Sequence, residues 1–389
     1  MRELDSYLAE LIKAQLENRI AAALPSSISV NQIVEVAVQN QMKYLLLGAL
    51  VRVPNLVEEE REHLRKHVIR CVLRTAVQVK ELGELEQSFE KAGVVNQPMK
   101  GAVLRFLYPS PEMREMSDID ILIAEQNMET ASAILKQRGY LLSESIKHHD
   151  IYMNPPFLIV EAHRAMYDKT VDRNQYGYFS NFSRTKVKEG CRYTQVFGKE
   201  DFYVYMMSHM AKHFYQTGCG IRHLVDIYIY LNAYRNSMDR KYVEQELDRC
   251  GILTFTIHME QLAFEWLDGG KLSPFHEKLF AYMLDSGIYG KDENGIWNKF
   301  VYQKGSDKEM SRGQLKRWYF FPPLYYMSEY YPYLEKKPWL LPWAWLVRGV
   351  CGIFEHKGSF KRKMIDHIDK EQIQTLKTIY EEMELRFKP

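Results

Sequence analysis

The sequence lacks the features that mark several large classes of protein. Its few cysteines are scattered and odd in number, so they predict neither a disulfide framework nor a cysteine metal site. No apolar run approaches the length of a membrane span, and no apolar signal core follows Met1. The formal net charge is only +2, which provides no broad basic surface for nucleic acid. We therefore expect a cytoplasmic protein that has no membrane span and does not act on nucleic acid. The five cysteines are Cys71, Cys191, Cys219, Cys250 and Cys351.

What is present is typical of a folded protein with several parts. The chain has 389 residues, of which 46% are hydrophobic and 26% charged, and this length exceeds that of a usual single domain. Helical spacing of apolar residues predicts a helical region over 1–93, ended by Gly93, and helices again over about 200–286 and 364–387. Shorter, strand-like runs lie between them. We predict a helical region (1–93), an α/β core (94–198) and a C-terminal helical region (199–389), with residues 165–198 irregular.

One stretch of the α/β core carries the pattern of a reactive site. Residues 118–123 alternate acidic with aliphatic side chains, which predicts a half-buried strand. Side chains two apart on a strand share a face, so Asp118 and Asp120 should lie side by side while Ile119, Ile121 and Ile123 fill the buried face. Two adjacent carboxylates repel unless a cation lies between them. The alternative is a solvated strand face with two surface acids.

A second run, residues 157–163, ends in Glu161-Ala162-His163 and follows a predicted hairpin turn at Pro155-Pro156. A neighbouring strand would bring Glu161 to the two aspartates. Three carboxylates with adjacent phosphates suit magnesium, and the arrangement is typical of a two-metal phosphoryl-transfer site. Glu161 would complete one metal site and accept a proton from the acceptor hydroxyl. The alternative pairs Glu161 with Arg164.

The ordered set of motifs resembles the polymerase-beta-type nucleotidyltransferase superfamily, and within it the bacterial family of uncharacterised nucleotidyltransferases. The resemblance implies an α+β fold, in which a small mixed-sheet polymerase-beta-like core is flanked by N- and C-terminal helical regions. It also implies a magnesium-dependent enzyme, with two Mg²⁺ ions or with Mn²⁺, that moves a nucleoside monophosphate from ATP or another NTP to an acceptor hydroxyl on a small molecule or peptide. The pieces that match are Lys100-Gly101, Tyr108-Pro109, Arg114, Ser117-Asp118-Ile119-Asp120, Val160-Glu161-Ala162-His163 and Lys212-His213.

The predicted roles follow from these positions. Asp118, Asp120 and Glu161 would be catalytic and would bind the metal, while phosphates would contact Lys100, the Gly101 backbone and Arg114. The resemblance gives Lys212 a place on the triphosphate. Ser117 and Arg222 complete the predicted nucleotide site. The superfamily usually has Gly-Ser or Gly-Gly before the acidic strand, whereas this chain has Lys100-Gly101. The serine hydroxyl that would bind a phosphate is therefore missing after Gly101.

Each nucleotide contact has a structural alternative. The alternatives are a surface lysine for Lys100, an ion pair with Glu112 or Glu115 for Arg114, and a local backbone contact for Ser117. Arg222 most simply pairs with Asp226, four residues along the same helix.

The sequence leaves three further features with more than one interpretation: a histidine pair, a tryptophan cluster and the function of the whole chain. His209 and His213 lie one helical turn apart, yet a third zinc ligand is not evident. Trp339 to Trp345 suits core packing, an aromatic platform or a membrane-interface anchor. For the whole chain, three function classes stay open: an enzyme, a degenerate nucleotide-binding module and a scaffold for protein interaction. A phosphohydrolase is a fourth, less favoured class.

Overall fold

The computed structural model describes residues 2–146, 148–167, 173–290, 313, 317–318, 320–354 and 370–385. Helices dominate both ends of the chain, and the strands lie between them. The helices are α1 (Glu3–Leu16), α2 (Val30–Gln39), α3 (Lys43–Leu50), α4 (Glu58–Ala92), α5 (Gly101–Leu104), α6 (Met128–Gln137), α7 (Arg173–Tyr178), α8 (Lys199–Gln216), α9 (Arg222–Tyr234), α10 (Arg240–Arg249), α11 (Leu253–Leu267), α12 (Pro274–Ser286), α13 (Leu324–Tyr330), α14 (Leu341–Phe354) and α15 (Lys370–Glu382).

A mixed sheet of five strands positions the acidic residues. Its order is β1-β2-β5-β4-β3, in which β2 and β5 are parallel and the other neighbours are antiparallel. The fold is therefore mixed α/β, which agrees with the α+β class expected from the sequence. The strands are β1 (Asn96–Pro98), β2 (Ile119–Ile123), β3 (Leu141–Ser145), β4 (His149–Asn154), β5 (Leu158–His163), β6 (Thr185–Val187) and β7 (Gln195–Phe197).

The central strand β2 differs from the half-buried strand that alternation predicts, because all five of its residues are buried. Ile119, Ile121 and Ile123 do fill one face, where they pack with residues of α4 and α6 such as Phe89 and Leu135. The opposite face, which carries Asp120, is covered by the helical part of the chain. Alternation of polar and apolar residues here marks a buried polar site instead of a solvated face.

The long helix α4 joins the helical layer to the sheet. Its N-terminal half contributes Leu64 to the large helical core, whereas Leu82, Leu85 and Phe89 belong to the core beneath the sheet. The helix ends at Gly93, whose φ of +70° places it in the left-handed region that glycine adopts readily. The division into 1–93, 94–198 and 199–389 stays a prediction.

Two regions differ from the sequence prediction in detail. Residues 165–198 were expected to be irregular, yet they include α7 and an antiparallel pair, β6 with β7; residues 168–172 lie outside the described part. The final helix spans Lys370–Glu382. Of the range 364–387 that was predicted for it, residues 364–369 and 386–387 lie outside the described part of the chain. Among the described residues, no helix combines the length and apolar character that a membrane crossing requires.

Candidate active site

The parallel pairing of β2 with β5 places two carboxylates side by side. Asp120 lies opposite Glu161 in the register, and Asp118 precedes β2 by one residue. Burial, together with the charges of Asp120 and Glu161, raises the pKa of Asp118 to about 7 against the lowering effect of Lys100. The three predicted carboxylates thus interact electrostatically, as the sequence pattern requires.

His163 also belongs to this cluster, although it is not among the catalytic, nucleotide-binding or metal-binding residues predicted from the sequence. Its Nε2 lies 2.9 Å from Asp120 Oδ1 and 3.2 Å from Glu161 Oε2. Burial lowers the pKa of His163, but hydrogen bonds to both carboxylates outweigh burial and raise that pKa. Glu161 and His163 are two apart on β5 and therefore share a face, which is the signal that could have identified this histidine.

Lys100 contacts the same aspartate. Its Nζ lies 2.6 Å from Asp120 Oδ1, and the backbone N–H of Met99 donates to the Asp120 carbonyl oxygen at 3.0 Å. Burial raises the pKa of Asp120, yet the charge of Lys100 and the hydrogen bond to His163 outweigh it and hold that pKa below its usual range. Lys100 is therefore neither a surface lysine nor distant from the acids.

Gly101 is constrained by its neighbours at the start of α5. A Cβ added there would lie 2.6 Å from Met116 Sδ and 3.2 Å from an Nη of Arg114. Close packing against the segment before β2 is thus enough to require glycine at this position. A close approach to phosphate remains a separate prediction.

The predicted arginines Arg114 and Arg222 are buried in a polar network behind the acids. Arg114 Nε lies 2.8 Å from Asp226 Oδ1, and Tyr108 donates to the same oxygen at 2.7 Å. Arg222 donates to the Glu115 carbonyl oxygen at 3.1 Å and to the Gln41 side chain. The predicted pairing of Arg222 with Asp226 is therefore wrong. The alternative pairing of Arg114 with the Glu112 or Glu115 carboxylate is also wrong, because Arg114 bonds to Asp226 on α9.

Ser117 lies at the edge of the cluster and makes side-chain contacts. Its Oγ accepts from Tyr289 at 3.0 Å and lies 3.5 Å from Asp118 Oδ1. Gln41 Nε2 also donates to it at 3.5 Å, so contacts with three side chains replace the local backbone contact considered for Ser117. Its hydroxyl lies beside the acids, as the predicted nucleotide site requires.

Helix α8 carries Lys212 and two histidines past the acid cluster. The Nε2 atoms of His209 and His213 are 3.1 Å apart, and Lys212 Nζ lies 5.4 Å from the ring centre of Tyr167. Burial lowers the pKa of both histidines, as does the charge of Lys100. Among the described residues, the cluster of three metal-ligating side chains is Asp120, Glu161 and His163, and the histidine pair has no third ligand that would make it a zinc site.

A cavity of about 490 Å³ opens at the carboxyl end of β2. Leu122, which shares a face with Asp120, lines it together with Met166 and Tyr167 that follow β5. Tyr176 and Phe179 add aromatic rings. This volume is in the range of small-molecule sites, which are mostly apolar with a few polar groups.

Comparison with known proteins gives one result that bears on this site. A protein-family model described as uncharacterised nucleotidyltransferase matches residues 26–268. The matched range contains the acid cluster, Lys100 and α8. No curated protein and no solved structure matches the chain.

Proposed function

The chain belongs to the uncharacterised nucleotidyltransferase family, and from that premise we propose that it transfers a nucleoside monophosphate from an NTP to an acceptor hydroxyl. The observation that carries the proposal is the cluster on neighbouring strands, in which Asp120 faces Glu161 and both contact His163. The same cluster lies in a sheet whose mixed order supports a polymerase-beta-like core. We propose that core as the finer description of the fold.

The cluster is chemically suited to a divalent cation. Asp120, Glu161 and His163 each offer one ligand atom, and these atoms lie within 4.8 Å of one another. Two carboxylates with an imidazole suit Mn²⁺ as well as Mg²⁺, since imidazole favours the softer ions. When bound, such a cation neutralises charge on the phosphoryl oxygens and on the attacking oxygen. Asp118 would join these ligands after losing its proton, and with it two ions can be held.

The surrounding polar residues would hold the nucleotide. Lys100 contacts Asp120 and is followed by the Gly101 backbone, Ser117 contacts Asp118, and Lys212 lies on α8 beside Tyr167. Arg114 and Arg222 fix the segment that contains Ser117, through Asp226 and the Glu115 carbonyl. We propose that these two arginines position the nucleotide-binding segment, and that they add positive potential where phosphates bind.

The acceptor would enter through the 490 Å³ cavity next to Leu122. The proton of its hydroxyl would pass to Glu161, which pairs with Asp120 two register positions before the pair of Leu122 with His163. Burial raises the pKa of Glu161, but the hydrogen bond to His163 outweighs it and lowers that pKa. Glu161 is therefore ionised at neutral pH and available as a base.

One observation favours a second candidate, a nucleotide-binding module without turnover. Lys100 Nζ lies 2.6 Å from Asp120, so a protein cation already compensates the carboxylate, and no serine follows Gly101. In that case nucleotide would bind but no nucleotidyl group would move.

The test follows the fate of each phosphate. NTP labelled at the α- or the γ-phosphorus is incubated with protein, Mg²⁺ or Mn²⁺, and a panel of hydroxyl-bearing small molecules and peptides. We expect the α-label on an acceptor and the γ-label in pyrophosphate. Asp120→Asn should abolish transfer, whereas Asp5→Asn, at an equally buried aspartate of α1, should retain it. Transfer of the γ-label, or nucleotide binding without any transfer, would overturn the proposal.

A further inference from the structure

The turn that follows α12 presents a tyrosine beside the acid cluster. Gly287 and Gly290 bound this turn, and the Gly290 N–H donates to the Gly287 carbonyl oxygen at 3.2 Å. The side chain of Tyr289 is 68% exposed, yet its hydroxyl donates to Ser117 Oγ at 3.0 Å. The turn lies beyond the residues that match the family model, so the family match assigns Tyr289 no role.

The backbone of this turn is held by the elements around it. The Ile288 N–H donates to the Gln39 carbonyl oxygen at 2.9 Å, at the end of α2, and the Thr217 hydroxyl donates to the Tyr289 carbonyl oxygen at 3.3 Å. Gly290 has a φ of +69°, which glycine adopts readily, and a Cβ added there would overlap Thr217. The exposed Tyr289 side chain therefore projects from a backbone that is fixed against α2 and the end of α8.

Hydrogen bonds also fix the position of the phenol ring. Because Arg222 can only donate, Gln41 accepts from it through Oε1 and donates through Nε2 to the Tyr289 hydroxyl oxygen. The Tyr289 hydroxyl in turn donates to Ser117, whose own hydroxyl donates to Asp118 Oδ1 at 3.5 Å. The four hydrogen bonds thus run in one direction, from a buried cation to a carboxylate of the acid cluster, and the phenol is held within them.

The length of β2 separates this tyrosine from the cavity that would take the acceptor. Ser117 and Asp118 precede β2 and are half-buried, whereas the cavity opens at the other end of the strand, beside Leu122. At the rise of a β-strand, Asp118 and Leu122 are about 13 Å apart. With the acceptor in the cavity, the nucleotide would extend from the metal ligands in the opposite direction, towards Ser117 and Tyr289.

We propose that the nucleobase of the NTP stacks on the exposed ring of Tyr289. A ring that is already held in place loses little conformational entropy when a base covers it, and every base has a face that can stack on an aromatic side chain. The hydroxyl of Tyr289 positions the ring, and the ring makes the contact with the base. The inference rests on the proposed function, because it places the base of the nucleotide whose phosphates the acid cluster and its metal would bind.

The experiment compares nucleotides with a phosphate chain that has no base. Isothermal titration calorimetry on the full chain with Mn²⁺ measures the binding of ATP, GTP, CTP, UTP and inorganic tripolyphosphate. For the NTP that binds the unaltered protein most tightly, Tyr289→Leu should weaken binding by between about 5- and 150-fold. The same substitution should leave tripolyphosphate binding unchanged. Tyr289→Phe keeps the ring, so its NTP affinity should stay within about threefold of that of the unaltered protein.

Tyr330→Leu is the matched control, since Tyr330 on α13 is 59% exposed and its ring contacts that of Tyr326 on the same helix. This substitution should leave both affinities unchanged, and circular dichroism verifies that each variant is folded.

Three results would overturn the inference and leave the proposed function standing. They are unchanged NTP binding in Tyr289→Leu, an equal loss of NTP and tripolyphosphate in that variant, and a loss in Tyr289→Phe as large as that in Tyr289→Leu. The last result would make the hydroxyl responsible instead of the ring. If the unaltered protein binds no NTP, or if Asp120→Asn binds it equally well, the proposed function fails and the inference fails with it.

Discussion

His163 and Asp120 are joined across two neighbouring parallel strands, with Nε2 of the imidazole 2.9 Å from Oδ1 of the carboxylate. The same nitrogen lies 3.2 Å from Glu161, so a single imidazole contacts both carboxylates. A cation bound by these acids must either take the histidine as a ligand or displace its hydrogen bonds. The chemistry of the cluster therefore depends on His163 as well as on the acids.

We predict that His163→Gln weakens Mn²⁺ binding more than Mg²⁺ binding. Imidazole is a softer ligand than carboxylate, and its loss should lower the Mn²⁺ affinity by about 10- to 100-fold. Titration followed by electron paramagnetic resonance measures the Mn²⁺ affinity. His149→Gln is the matched control, since the ring of His149 lies 5.0 Å from that of His163 but outside the ligand group. Equal loss of both ions, or no loss, would show that His163 is not a ligand.

The affinity for the cation should rise with pH. Without a cation, burial and the neighbouring carboxylates raise the pKa of Asp118 to about 7, so its proton must leave before it can bind metal. We expect the dissociation constant to fall by about tenfold per pH unit below pH 7 and to level off above it.

The same shift has a consequence for stability. Because the pKa of Asp118 is raised in the folded state, the protonated carboxyl contributes to the free energy of unfolding. This contribution is fully present below the unfolded pKa of about 4 and is lost as pH rises towards 7. Isothermal titration calorimetry measures the pH dependence of cation binding, and differential scanning calorimetry measures that of stability. Asp118→Asn should remove both. Persistence of the full dependence in that variant would assign it to another group.

Gly101→Ala should destabilise the protein, because the new Cβ would lie 2.6 Å from Met116 Sδ. Overpacking of this kind costs about 1–3 kcal/mol in the free energy of unfolding. Gly83→Ala in α4 is the control, since nothing lies within 4 Å of a Cβ there, and it should be neutral or stabilising by up to about 1 kcal/mol. Urea denaturation measures both. If Gly101→Ala costs as much in the Met116→Ala background as in the unaltered protein, steric contact with Met116 is not the cause.

The buried Arg114–Asp226 pair should contribute far more than a surface pair. Asp226→Asn leaves the guanidinium without its charge partner and should cost about 3–5 kcal/mol. Asp268→Asn, which breaks the more exposed Lys13–Asp268 pair, should cost about 0–1 kcal/mol. Chemical denaturation of the two variants gives the comparison.

The pH dependence of the Asp226 contribution follows from its lowered pKa. Burial alone raises the pKa of Asp226, but the charges of Arg114 and Arg222 outweigh it and lower that pKa. The stabilisation is therefore present above the unfolded pKa of about 4 and is lost as pH falls through the folded value. A loss of equal size in both aspartate variants, or stabilisation by Asp226 that grows towards low pH, would contradict this account.

The sequence predicted strand β2, which carries Asp120 and directly follows Asp118, the hairpin that returns to Glu161, and the helical regions on either side. These features depend on local patterns, namely alternation, turn residues and helical spacing. Such patterns also predicted which carboxylates are neighbours, because the sharing of a face on a strand needs only the period of two.

The partners of the buried cations could not be predicted in the same way. Arg114 bonds to Asp226, which is 112 residues away, and Lys100 bonds to Asp120 across a tertiary contact. Local spacing favoured Arg222 with Asp226, but the packing of α9 against the segment before β2 decided otherwise. Burial of both faces of β2 likewise depends on helices that are distant in sequence.

The measurement that tests the central claim most directly is thermal unfolding with each of ATP, GTP, CTP and UTP, with and without Mg²⁺ or Mn²⁺. We expect a rise of about 3 °C at one hundred times the dissociation constant, only when one nucleotide and a divalent cation are both present. The rise should be absent in Asp118→Asn/Asp120→Asn and retained in Asp5→Asn. No rise with any nucleotide, or an equal rise in the double variant, would contradict nucleotide binding at these carboxylates.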